Sequence, residues 1–76
     1  MLGDTPPKWH MPLWTEHIET GCLAHEHGTL VLLRDDGGRW RLETMIDVGP
    51  LLGCRVRISG VRCGFDVLDV TAMARV

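Results

Sequence analysis

Arg34-Asp35-Asp36-Gly37-Gly38-Arg39-Trp40-Arg41-Leu42-Glu43 is the stretch that decides how this chain reads. Two aspartates followed by two glycines make a hairpin tip. The aspartates accept hydrogen bonds from nearby backbone, and the glycines take positive φ without steric cost. Past the tip, polar and apolar residues alternate. Arg39, Arg41 and Glu43 face one way and Trp40 and Leu42 the other, the period of two of a half-buried strand. Trp40 is the leading core anchor of that strand.

The same reading extends in both directions. His17-Ile18-Glu19-Thr20-Gly21-Cys22-Leu23-Ala24-His25-Glu26-His27 is a first strand interrupted at Gly21, where a glycine marks a bend or bulge. Gly28 gives a tight connection to Thr29-Leu30-Val31-Leu32-Leu33, which is apolar on both faces. After the hairpin, residues 44–53 read as a short helix or irregular turn. Thr44 or Asp47 is its cap, Gly49-Pro50 limits its length, Gly53 stops it, and Leu51 and Leu52 plug one end of the sheet. Arg55-Val56-Arg57-Ile58-Ser59-Gly60-Val61 alternates again, and a turn near Arg62-Cys63-Gly64 leads into a last strand from Phe65 to Met73. That strand starts with Phe65 and Val67 on one face and changes to Leu68, Val70 and Ala72, the mark of a bulge. Five strands with a helical link between the third and fourth give an all-β expectation: a small five-stranded OB-like (Greek-key) barrel with a short helix between strands 3 and 4. An SH3-like barrel has no helix at that position. In the OB arrangement strand three lies beside strand five, and strand four beside strand one.

Four segments together resemble a family of short bacterial domains of unknown function. They are Gly28-Thr29-Leu30, the Gly37-Gly38-Arg39-Trp40-Arg41-Leu42 hairpin, Leu51-Leu52-Gly53-Cys54-Arg55-Val56-Arg57-Ile58-Ser59-Gly60, and Gly64-Phe65-Asp66-Val67-Leu68-Asp69-Val70. The resemblance covers about residues 21–72. It implies a small OB-like β-barrel and no particular activity.

At 76 residues the chain is one domain with a thin core. Residues 1–14, with Pro6, Pro7, Pro12, Trp9 and Trp14, read as an N-terminal tail, and residues 15–76 as the barrel domain. Net charge is -2, yet all seven arginines lie after residue 28, so the mean field draws no polyanion although a local face can. Three cysteines without C-x-x-C spacing point to a reducing, cytoplasmic setting. No stretch approaches the roughly 20 apolar residues of a membrane-spanning helix.

Three groups of residues are candidate sites. Arg39 and Arg41 on strand three, with Arg55 and Arg57 on strand four, can track phosphates, with Trp9 and Trp14 as stacking platforms for single-stranded nucleic acid. Their structural role is cross-strand pairing: Asp66 or Asp69 for Arg39 and Arg41, Glu19 or Glu26 for Arg55 and Arg57. Cys22, His25 and His27 form a possible zinc or copper set, with the two histidines on one strand face. No nucleophile motif or phosphate loop is present, so the expectation is a non-enzymatic binding or protein-interaction module without a cofactor. The two-faced strand 29–33 and the tail suggest a homodimer or protein partner.

Overall fold

The computed structural model describes residues 14–76. Among them the chain is all-β: β1 (Glu16–Glu26), β2 (Thr29–Arg34), β3 (Arg39–Glu43), one 3₁₀ turn (Gly49–Leu51), β4 (Arg55–Arg62) and β5 (Val67–Arg75). The five strands form one sheet in the order β1-β2-β3-β5-β4, and β4 pairs back onto β1 so that the sheet closes. Every pairing is antiparallel except β3 with β5, which is parallel. Strand three therefore lies beside strand five and strand four beside strand one, as expected. The expected tail, residues 1–14, falls almost wholly outside the described residues. None of the described helices is long and apolar enough to cross a membrane.

Closure rests on β1, which serves two partners. Residues 16–22 pair with β4 and residues 21–26 with β2, so Gly21 and Cys22 are bonded on both sides. Gly21 is buried at this bend, and a Cβ there would stand 2.3 Å from the backbone oxygen of Leu33. Only glycine lets the two backbones approach so closely. The β1–β2 connection is a two-residue hairpin, His27 (φ 53) and Gly28 (φ 78), closing the Glu26–Thr29 pair. Two left-handed residues in succession give the backbone twist that such hairpins require. His27 thus belongs to a turn, and the expectation that it shares a strand face with His25 is corrected.

The hairpin tip forms as read. Asp36 Oδ1 accepts the Gly38 N–H at 3.0 Å, the Arg34 N–H donates to Gly38 at 2.8 Å, and Gly37 has φ 91. Inside, Leu23, Leu32 and Trp40 register directly across β1, β2 and β3, and Leu42, Val56, Ile58, Leu68 and Val70 complete the core. Val31 lies on the outer face yet is only 3% exposed. It shares that face with Glu26 on β1 and Arg39 on β3, whose ion pair spans β2 and covers it.

Three details differ from the sequence reading. The link between β3 and β4 is a 3₁₀ turn, not a helix: Val48 at its start provides no side-chain cap, and Pro50 sits within its three residues. Thr44 Oγ1 and Asp47 Oδ1 instead accept the N–H groups of Ile46 and Gly49, which breaks the segment into local turns. Leu51 packs on the core while Leu52 is 37% exposed, so only the first of the two plugs the sheet. The bulge in β5 falls at Thr71, where Ser59 pairs with Ala72 and Gly60 with Val70. Phe65 precedes the strand altogether.

These contacts set a contrast between two glycines. Gly21→Ala must push two paired backbones apart and is expected to cost about 3 kcal/mol or more. Gly37→Ala meets open space and carries only the left-handed backbone penalty, about 1–2 kcal/mol. Urea denaturation followed by circular dichroism measures both. Equal, mild losses would show that β1 does not need the close approach.

Candidate functional site

Strand register shows which polar side chains face inward. On β1, His17 and Glu19 pair with Gly60 and Ile58 and so share the core's side of the sheet. On β2, Arg34 lies opposite Gly21, one alternation beyond Leu32. On β4, Arg62 continues the inward series Val56, Ile58 and Gly60 and is only 5% exposed. These positions gather where β1 and β3 begin and β2 and β4 end. One end of the closed sheet is therefore filled by polar side chains rather than aliphatic ones.

A groove of about 380 Å³ opens there. Its cations are Arg34, Arg39 and Arg62, its rings are His17, Trp40 and Phe65, and Asp66 is its acid. The Arg62 guanidinium donates to the carbonyl of Gly64 at 3.0 Å and to that of Phe65 at 2.6 and 3.2 Å. It stands 5.7 Å from the Phe65 ring, which is itself 76% exposed on the β4–β5 loop. Arg62 thereby fixes the loop that presents Phe65. His17 meets Trp40 edge-on at 5.3 Å, with Glu19 at 3.5 Å from one ring nitrogen and Thr15 Oγ1 at 3.0 Å from the other. Trp40 is 8% exposed, and its indole N–H has no acceptor among the described residues.

Of the four arginines singled out from the sequence, only Arg39 lines this groove. It pairs with Glu26 instead of an acid on the last strand. Arg41 does meet Asp66, through hydrogen bonds of 3.0 and 2.8 Å, and this raises its pKa further above the usual guanidinium range. Arg55 reaches across β1 to Asp35 in a two-pronged pair at 2.7 and 2.8 Å, not to Glu19 or Glu26. That contact lowers the Asp35 pKa and raises that of Arg55. Arg57 is exposed and makes no ion pair among the described residues. Since β5 separates β3 from β4, the four do not assemble into one patch.

Trp9 lies outside the described residues. Trp14 is 69% exposed with φ 65, and its backbone N–H donates to the Arg62 carbonyl beside the groove. Cys22 is half-buried, its thiol 3.9 Å from the Leu23 carbonyl, and His25 and His27 are exposed. No group of three side chains suited to a metal ion occurs among the described residues. Burial, followed by Glu43 and Asp69, pushes the Cys63 thiol pKa up.

The sequence reading missed Arg62, Phe65 and Arg34 as groove residues. The signal was there for two of them: Arg34 and Arg62 each extend an inward alternation by one step, past Leu32 and past Ile58 and Gly60. An arginine at an inward position at a strand's end marks the rim of a core.

No curated protein matches the chain, and no solved structure matches it either. A family model does match, over residues 20–76, a span that takes in every groove residue named above except His17. The chain belongs to that family, whose description is protein of unknown function (DUF5818).

Proposed function

We propose that this protein is a small, non-enzymatic binding module built as an OB-like barrel, with the groove at the end of the sheet as its ligand seat. The parallel β3–β5 pairing and the return of β4 onto β1 support the OB-like reading. Three free cysteines fit a reducing, cytoplasmic setting. The observation that carries the function is the convergence of three arginines and three rings on one groove. Cations beside an exposed aromatic face suit a planar, negatively charged ligand, with the ring stacked on Phe65 and the anion at Arg34 and Arg39. Binding rather than turnover is favoured because the groove lining contains no serine, threonine, cysteine or lysine among the described residues. His17 already has partners at both ring nitrogens.

Single-stranded nucleic acid is the second reading. Phe65 supplies the stacking surface that Trp40, facing inward, does not. Arg34 and Arg39 hold Asp36 and Glu26 in largely exposed pairs. Such pairs contribute well under about 1 kcal/mol, so a phosphate can take the carboxylate's place.

Naphthalene sulfonate, a planar aromatic anion, tests the seat. In heteronuclear NMR its shifts are expected at Gly38, at the Trp40 indole and at Phe65. Phe65→Ala or Arg39→Glu should weaken it about tenfold, the worth of one stacking or charged contact. Shifts confined to the far end around Met45 and Leu52 would overturn the seat. A short oligothymidylate and oligouridylate, titrated at about 50 mM salt where electrostatic binding is strong, test the second reading. Binding weakened by Phe65→Ala supports it, and no binding at that salt removes it.

A further inference from the structure

Away from the groove, the outer face of β1, β4 and β5 is ordered into rows by the strand register. Glu16, Val61 and Asp69 form the first row, Ile18, Ser59 and Ala72 the second, and Thr20, Arg57 and Ala74 the third. Acids stand at one end of this face and a cation at the other. Glu16, Asp69 and Arg57 are all exposed and take part in none of the ion pairs among the described residues. Between them Ile18 is 71% exposed. A lone exposed isoleucine is ordinary. An exposed isoleucine midway between separated, unpaired charges of opposite sign is a self-complementary pattern.

We propose that a second copy of this chain docks on this face about a two-fold axis. The axis lies in the face and crosses the strands at the Ile18 row, so the two copies' strands run in opposite directions. Ile18 then meets Ile18 of the second copy. The acidic row of each copy lies over the Arg57 row of the other, and the contact occurs twice, as two-fold symmetry demands. A two-fold axis parallel to the strands sets acids over acids and arginine over arginine. Charge therefore selects one of the two arrangements, the usual role of polar groups at an interface. The face is three strands wide, about 14 Å, and its β1 portion, residues 16–22, is about 23 Å long. An interface of that size is small, so the dimer is weak and depends on concentration. The two-faced strand 29–33 is not its seat: there the outer Val31 is already covered within the chain.

Sedimentation equilibrium on the full chain, from about 10 µM to about 1 mM at about 50 mM salt, tests this. The expected result is a monomer–dimer equilibrium that about 0.5 M salt weakens severalfold. Ile18→Glu and Arg57→Glu should each abolish the dimer without lowering the melting temperature, since both side chains are exposed. Adding Glu16→Arg and Asp69→Arg to Arg57→Glu should restore it by exchanging the charges. A wild-type chain that stays monomeric over the whole range overturns the proposal. So does a dimer indifferent to these substitutions, which would place the contact elsewhere.

Discussion

The whole architecture depends on one close approach, the backbone of Gly21 against the carbonyl of Leu33. A five-strand sheet closes only if some strand bends to be shared, and β1 is that strand. At Gly21 and Cys22 it carries hydrogen-bonded neighbours on both sides, and a methyl group at the bend has nowhere to go. The bulge at Thr71 completes the closure on the opposite side. There Gly60 lets the backbone of Asp69 come close, a Cβ being 2.8 Å from its oxygen. Two glycines, one on each of two paired strands, thus take up curvature that longer proteins distribute over many residues.

Closure also creates the groove. When a small sheet curls, its inward residues fill the middle and leave the ends to whatever comes next in the alternation. Here the middle is Leu23, Leu32, Ile58 and Leu68, all fully buried. The next inward positions at one end are His17, Arg34 and Arg62. Arg62 is buried as a charge, a costly state unless its donors are met. Backbone carbonyls of its own loop accept them, and the loop is held with Phe65 turned outward. The exposed ring is therefore a consequence of the buried guanidinium.

Much of this was legible in the sequence, because period-two alternation and turn chemistry are local. The hairpin at residues 35–38, the outward arginines of β3 and β4 and the bend at Gly21 all follow from neighbours in the chain. Two kinds of feature failed, one local and one set by closure. The segment after β3 offered helix caps, but Thr44 and Asp47 satisfied adjacent N–H groups instead and left a single 3₁₀ turn. The partners of Arg39 and Arg55 lie diagonally across intervening strands, a relation fixed by the curl of the closed sheet and invisible in strand order alone. The groove was missed for the same reason: its residues are the ends of four strands, far apart in sequence, and only closure sets them side by side.

The first half of β1 connects the two proposed surfaces. Residues 16–20 pair with β4 but not with β2, so one backbone edge of this half carries no strand partner among the described residues. Its inward side chains, His17 and Glu19, reach the groove end, and its outward ones, Glu16 and Ile18, belong to the charged face. Because alternation allows no residue to serve both sides, a change at Ile18 leaves the groove chemistry intact, and a change at His17 leaves the face intact. The backbone, however, is shared. His17 and Ile18 are neighbours on one half-strand bonded to β4, so the proposed seat and the proposed docking face lie on its two sides.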